Sequence, residues 1–194
     1  MDLRDLAPSG QAAFAAAAAE RLLPAYVRYC KETGFDGTLR LRTALQYVWR
    51  HVEAPSTDQG KLRQQHDIAH ALTAVSEEPA SYFSIAAQDA TAAVTYCLRF
   101  LLGDDEKGAV RAAGSGFDAA YQYAVFSSMT ENVQIMTDTL MQKVLSHTLV
   151  QTELTRQRRD LLELKSAEPQ ELARVAAAVH ARAERETAIS TTPL

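Results

Sequence analysis

The sequence predicts an all-α fold: a single compact bundle of about seven helices with short connections. Apolar residues recur at steps of three and four almost throughout, as in the stripe Phe83, Ala86, Ala87, Ala90, Val94, Cys97, Leu98 and Leu101. Alanine, the strongest helix former, is abundant, and the 8 glycines and 6 prolines gather where segments should end. No stretch shows the alternation of a half-buried strand.

The elements follow from their punctuation. Ser9 is placed to cap a first helix that runs to about Thr33 and stops at Gly34, with Pro24 expected to kink or break it. Asp36 or Thr38 starts the second helix, which ends near Glu53 before Pro55. Ser56 and Gln59 have capping-box spacing and open the third, to about Val75. Pro79 suits the first turn of the fourth, which ends at Gly103. Asp104, Asp105 and Glu106 favour the positive amino end of the fifth, to about Phe126. Ser128 and Glu131 would cap one long sixth helix reaching Lys165, and Pro169 begins a seventh to about Glu186. The connections are short, so neighbours should pack antiparallel. The reading is one helical domain over 1–194, with its core at about 9–187 and a polar tail at 188–194.

Charge and composition narrow the function. With 20 basic and 24 acidic residues among 194, the formal net charge of −4 forces no cationic surface, which argues against a duplex-binding protein. Two cysteines make no disulfide framework. MDLRDLAPSG has no basic flank leading into an apolar run, and no stretch approaches the roughly 18 apolar residues of a membrane span. These features predict a soluble, reduced, cytoplasmic protein without nucleic-acid or membrane partners.

Candidate chemistry is sparse. His66 and His70, four apart in HDIAH, share a helix face and could share a metal ion, with Asp67 between them. A metalloprotease signature needs glutamate directly after the first histidine, and Asp67 stands there instead. Two ligands do not complete a zinc site, so a solvated polar pair is the plainer reading. His51, His147 and His180 lack a partner at such spacing. Cys30 and Cys97 lie on apolar faces, as structural cysteines do. Gly114–Ser115–Gly116 is no phosphate loop and suits close helix packing. The basic run Arg156–Gln157–Arg158–Arg159 has i, i+4 partners in Asp160 and Glu163, the pattern of a solvated face. The early aromatics Tyr26, Tyr29, Phe35, Tyr47 and Trp49 suit a core. No catalytic set and no cofactor emerge.

Three ordered segments carry a family resemblance. ERLLPAYVRYCKETGF followed by LRTALQYVW, then SYFSIAAQDATAAVTYCLRFLLGDD, then HTLVQTELTRQRRDLLEL resemble the YjaG-like proteins, domain-of-unknown-function family 416, over roughly Phe14 to Leu164. The resemblance implies a compact helical bundle found in bacteria and no activity. It draws attention to polar residues on apolar faces, chiefly Arg21, Asp89, Glu153, Arg156 and Asp160. Asp89, within AAQDATAA, must face solvent or find a partner; Arg21 or Arg156 could supply it, in an ion-pair network that fixes helix register or in a polar interaction site.

The function expected is a non-catalytic protein-binding module, one concrete form being an immunity or antitoxin protein that covers a basic toxin, with acidic helical surfaces steering the encounter. The alternative is a metal-dependent or other enzyme using His66, Asp67, His70 and Asp89. A homodimer is a third possibility, with Leu172, Val175, Ala176, Val179 and Ala183 of the last helix as its seam.

Overall fold

A computed structural model describes residues 3–55, 58–73, 82–128 and 138–187. Among these the chain is all-helical: a single 3-10 turn at Leu3–Asp5 precedes α1 (Pro8–Thr33), α2 (Thr38–Glu53), α3 (Gln59–Ala71), α4 (Tyr82–Leu102), α5 (Gly108–Ser128), α6 (Asp138–Leu145), α7 (Thr148–Ser166) and α8 (Leu172–Ala183).

Helix α1 is the axis of the bundle. Its 26 residues extend about 39 Å at the usual 1.5 Å rise, and it packs against α2, α4, α5, α7 and α8. The run from Ala12 to Ala19 explains this reach. Every residue in it is buried, and all but Phe14 are alanine, so several helices approach the α1 backbone closely. The helix does not break at Pro24. Leu22, Leu23, Ala25 and Tyr26 around it are all buried, and their burial, at about 1.5–3 kcal/mol for a large side chain, offsets the roughly 3 kcal/mol cost of an internal proline. Ser9 lies inside the first turn; Ala7 holds the cap position and Pro8 follows it.

The other boundaries are set by local hydrogen bonding. Gly34 (φ +71°) and Gly103 (φ +77°) terminate α1 and α4 in the left-handed region, where glycine carries no Cβ penalty. Helix α2 begins at Thr38, with Gly37 before it. Asp58 caps α3, its side chain accepting from the Lys61 backbone N–H, and that helix ends at Ala71, short of Val75. Ser56, Pro79, Glu131 and the tail 188–194 lie outside the described residues.

The long sixth helix of the sequence reading is two helices. His147 takes an extended conformation (φ −59°, ψ 137°) and its ring accepts from the Leu149 N–H, starting α7 afresh. The break lets α6 fold onto α5, where Leu140, Val144 and Val150 form a small second core with Ala120 and Ala124. The last helix starts at Leu172, with Pro169 in the turn before it. Ala176, Val179 and Ala183 belong to the main core, and Leu172 and Val175 pack against it. That face packs into this chain's own bundle, with Leu172 and Val175 partly buried at its rim.

Candidate functional site

The inward face of α7 carries carboxylates where apolar residues would be expected. Glu153 and Asp160 are seven residues apart, two turns, and so point to the same side as Val150, Leu161 and Leu164, all buried. Opposite them on α1 stands Arg21. These three charged side chains are at most 1% exposed.

Arg21 grips both. Its Nε donates to Glu153 Oε2 at 3.0 Å and its Nη2 to Oε1 at 3.0 Å, a bidentate fork, while Nη1 donates to Asp160 Oδ2 at 2.8 Å. The network then runs outward. Asp160 Oδ1 accepts from Arg182 Nη2 at 2.7 Å and from Arg159 Nη2 at 3.2 Å. Glu186 accepts from Arg159 at 2.9 Å and lies 3.7 Å from both Arg21 and Arg156. Arg156 Nη1 donates to the Thr187 carbonyl at 2.6 Å, and Arg182 also holds Glu163. Burial alone would pull the Arg21 guanidinium's pKa down; the Glu153 and Asp160 carboxylates outweigh that and hold it above its ordinary value.

The basic run on α7 is therefore not a plain solvated face. Arg156 and Arg159 turn toward the end of α8, Gln157 donates to Glu153 Oε1 and to the Ala113 carbonyl, both at 2.9 Å, and Arg158 is exposed. Gly116 on α5 makes room for this: a Cβ there would stand 3.1 Å from Glu153 Oε1 and 3.5 Å from Gln157 Nε2. Both oxygens of Glu153 and of Asp160 accept hydrogen bonds, which leaves these carboxylates poorly placed to act as bases. The cluster links α1, α7 and α8 through buried ion pairs.

A second buried group lies on the preceding residue of α1. Glu20 Oε2 accepts from the Trp49 indole at 3.1 Å, and His180 of α8 stacks on Trp49 with ring centroids 4.1 Å apart. Burial raises the Glu20 carboxyl above its ordinary pKa and lowers that of His180. Sequence spacing could not find His180, because its partners come from α1 and α2.

Asp89 is elsewhere. It pairs with neither Arg21 nor Arg156, and sits half-buried on α4 facing Asp118 of α5. Its Oδ2 has no hydrogen-bond partner among the described residues. Burial first, and the Asp118 charge second, push its pKa up to about 7; burial also raises that of Asp118. Gly114 leaves open space on the same side of α5, where Phe117 and Tyr121 stand half-exposed, four residues apart with ring centroids at 5.9 Å. Of the five positions singled out, the fold gathers Arg21, Glu153, Arg156 and Asp160 and leaves Asp89 apart.

The enzyme reading fares differently. His66 and His70 share a face of α3, but among the described residues no three His, Cys, Asp or Glu side chains gather as a metal site, so Asp89 does not join them. Cys30 and Cys97 are buried, and burial pushes the Cys97 thiol far above its ordinary pKa. Among the described residues no helix is long and apolar enough to cross a membrane.

Comparison with known proteins adds a fold and a family. The chain is similar to a crystal structure of a DUF416 family protein from Shewanella baltica OS155, with 19% identity, a TM-score of 0.80, and coverage of 93% of this chain and 90% of that one. At that identity the likeness speaks for the fold alone. No curated protein matches. The family profile described as "Protein of unknown function (DUF416)" matches residues 1–187. Matching nearly the whole chain, it shows that this protein belongs to the DUF416 family.

Proposed function

We propose that this protein is a binding module without chemistry of its own, and that it docks a basic protein partner on the α4–α5 face. The observation that carries the reading is Asp89. A half-buried carboxylate with no cation beside it among the described residues and a second carboxylate facing it costs stability. An arginine or lysine delivered by a partner would remove that cost. Arg21 shows the contrast within the same chain: there, buried carboxylates are fully matched from inside.

The surroundings support a protein partner. Asp104 and Asp105 at the α4–α5 turn are paired with Arg63 and Arg111, whereas Asp89 and Asp118 face each other with no cation beside them among the described residues, a local charge that favours a basic surface. Tyr96, Phe117 and Tyr121 are each only partly buried, Tyr96 beneath the Arg111 guanidinium and the other two against the small second core, and their remaining edges add aromatic surface. An immunity-type inhibitor covering a basic toxin is one form of this reading.

The test is reconstitution with a neighbour-encoded basic protein, both components purified. Asp89→Asn and Asp118→Asn should each weaken binding by at least tenfold and should not lower the melting temperature of the free protein. Unchanged affinity in both variants would refute docking at this face.

A further inference from the structure

We propose that His66 and His70 form a surface chelate for a divalent transition-metal ion of the Zn²⁺ and Ni²⁺ class, clipping two successive turns of α3. The proposal is independent of partner docking on α4–α5.

The geometry is that of two ligands prepared on one helix face. The rings are nearly parallel (6° between planes) with centroids 6.0 Å apart. His66 Nδ1 lies 2.9 Å from Asp67 Oδ1. An ionised carboxylate only accepts, so Nδ1 carries the proton and donates it, leaving the lone pair of His66 on Nε2. A carboxylate holding the far nitrogen is how imidazole ligands are oriented and made more basic in metal sites. His70 is exposed, and among the described residues its ring stacks on His66 without a hydrogen bond. Metal–nitrogen bonds of about 2.0–2.1 Å bring two tetrahedral nitrogen ligands to about 3.3 Å from each other. From centroids 6.0 Å apart, rotation of the exposed His70 ring about its side-chain torsions would bring the two nitrogens to that separation. Water completes the coordination, because the neighbouring Asp104 carboxylate is held by Arg63 on the same helix. Neutral imidazoles and water suit borderline metals rather than Mg²⁺ or Ca²⁺, which prefer carboxylate and carbonyl oxygen.

The cysteines do not compete, since Cys30 is 6% and Cys97 0% exposed. Calorimetric titration of untagged, chelator-treated full-length protein with ZnCl₂ or NiCl₂ tests the site, with MgCl₂ as the control. The expected result is one ion per chain for Zn²⁺ and Ni²⁺ and none for Mg²⁺. Affinity should fall at least tenfold in His66→Gln and in His70→Gln. Asp67→Asn, which keeps both rings, should also weaken binding, by about tenfold or more. In the wild-type protein, Zn²⁺ should shift the His66 and His70 ring resonances and leave those of His51 and His180 in place, a readout that needs no variant. Absence of Zn²⁺ and Ni²⁺ binding, or binding that survives both histidine substitutions, would overturn the proposal.

Discussion

Arg21 and Glu153, 132 residues apart in sequence, meet through a two-bond fork with both N···O distances at 3.0 Å, and neither is more than 1% exposed. A buried pair of this kind contributes less by existing than it costs to break, because removing one member strands the other's charge. Arg21→Ala leaves Glu153 and Asp160 without their inner cation. The expected loss is about 3–5 kcal/mol, which for a chain of this size lowers the melting temperature by roughly 6–20 °C. Replacing Arg21, Glu153 and Asp160 together with apolar residues should restore much of that loss. Thermal melts of the two variants check both statements.

The neighbouring glycines give opposite predictions. A Cβ at Gly114 meets nothing within 4 Å, whereas one at Gly116 stands 3.1 Å from the Glu153 carboxylate, which Arg21 and Gln157 hold in place. Gly114→Ala should stabilise the protein by about 0.5–1 kcal/mol through helix propensity alone. Gly116→Val should destabilise it by about 1–3 kcal/mol, the usual range for overpacking. Urea midpoints for the two variants should move in opposite directions.

Trp49 and Glu20 form a further buried contact, indole to carboxylate at 3.1 Å, with the His180 ring stacked above the indole. A double-mutant cycle of Trp49→Phe and Glu20→Ala should give a coupling energy of about 1.5–3 kcal/mol, the range for a hydrogen bond to an ionisable group. Coupling near zero would mean that the carboxylate is solvated in practice and that the contact is incidental.

Much of this architecture is legible in the sequence, for physical reasons. Residue spacing on α4 shows which face is buried, and Gly34 and Gly103 end helices as their freedom at positive φ allows. The break between α6 and α7 is not legible by punctuation, because no glycine or proline stands between Asp138 and Ser166 and it is the His147 ring, accepting from the Leu149 N–H, that starts a new helix. Arg21, Glu153, Arg156 and Asp160 stand out as polar residues on apolar faces, and the fold brings them together. Which arginine meets which carboxylate depends on the α1–α7–α8 packing, and so the sequence equally allowed Asp89 as a partner. The Glu20, Trp49 and His180 group is assembled from three helices and has no local signature.

Asp89 is the unmatched carboxylate of the α4–α5 face, and the protein's stability against pH tests it most directly. Its pKa of about 7 in the folded protein lies above the ordinary carboxylate value of 3.8. The folded state therefore holds this proton more tightly than the unfolded state does. The stabilising contribution is complete below about pH 4 and is lost as pH rises through about 7. Asp89→Asn removes the charge and should raise stability at pH 8, on the order of 1–2 kcal/mol once partial solvation is allowed for. The gain should shrink toward zero near pH 4. Melting wild type and Asp89→Asn at pH 4, 6 and 8 measures this directly. A variant more stable only at the higher pH values is the predicted result. An Asp89→Asn protein that melts well below wild type at pH 8 would mean that the carboxylate is held by a partner within the chain, and would contradict the account.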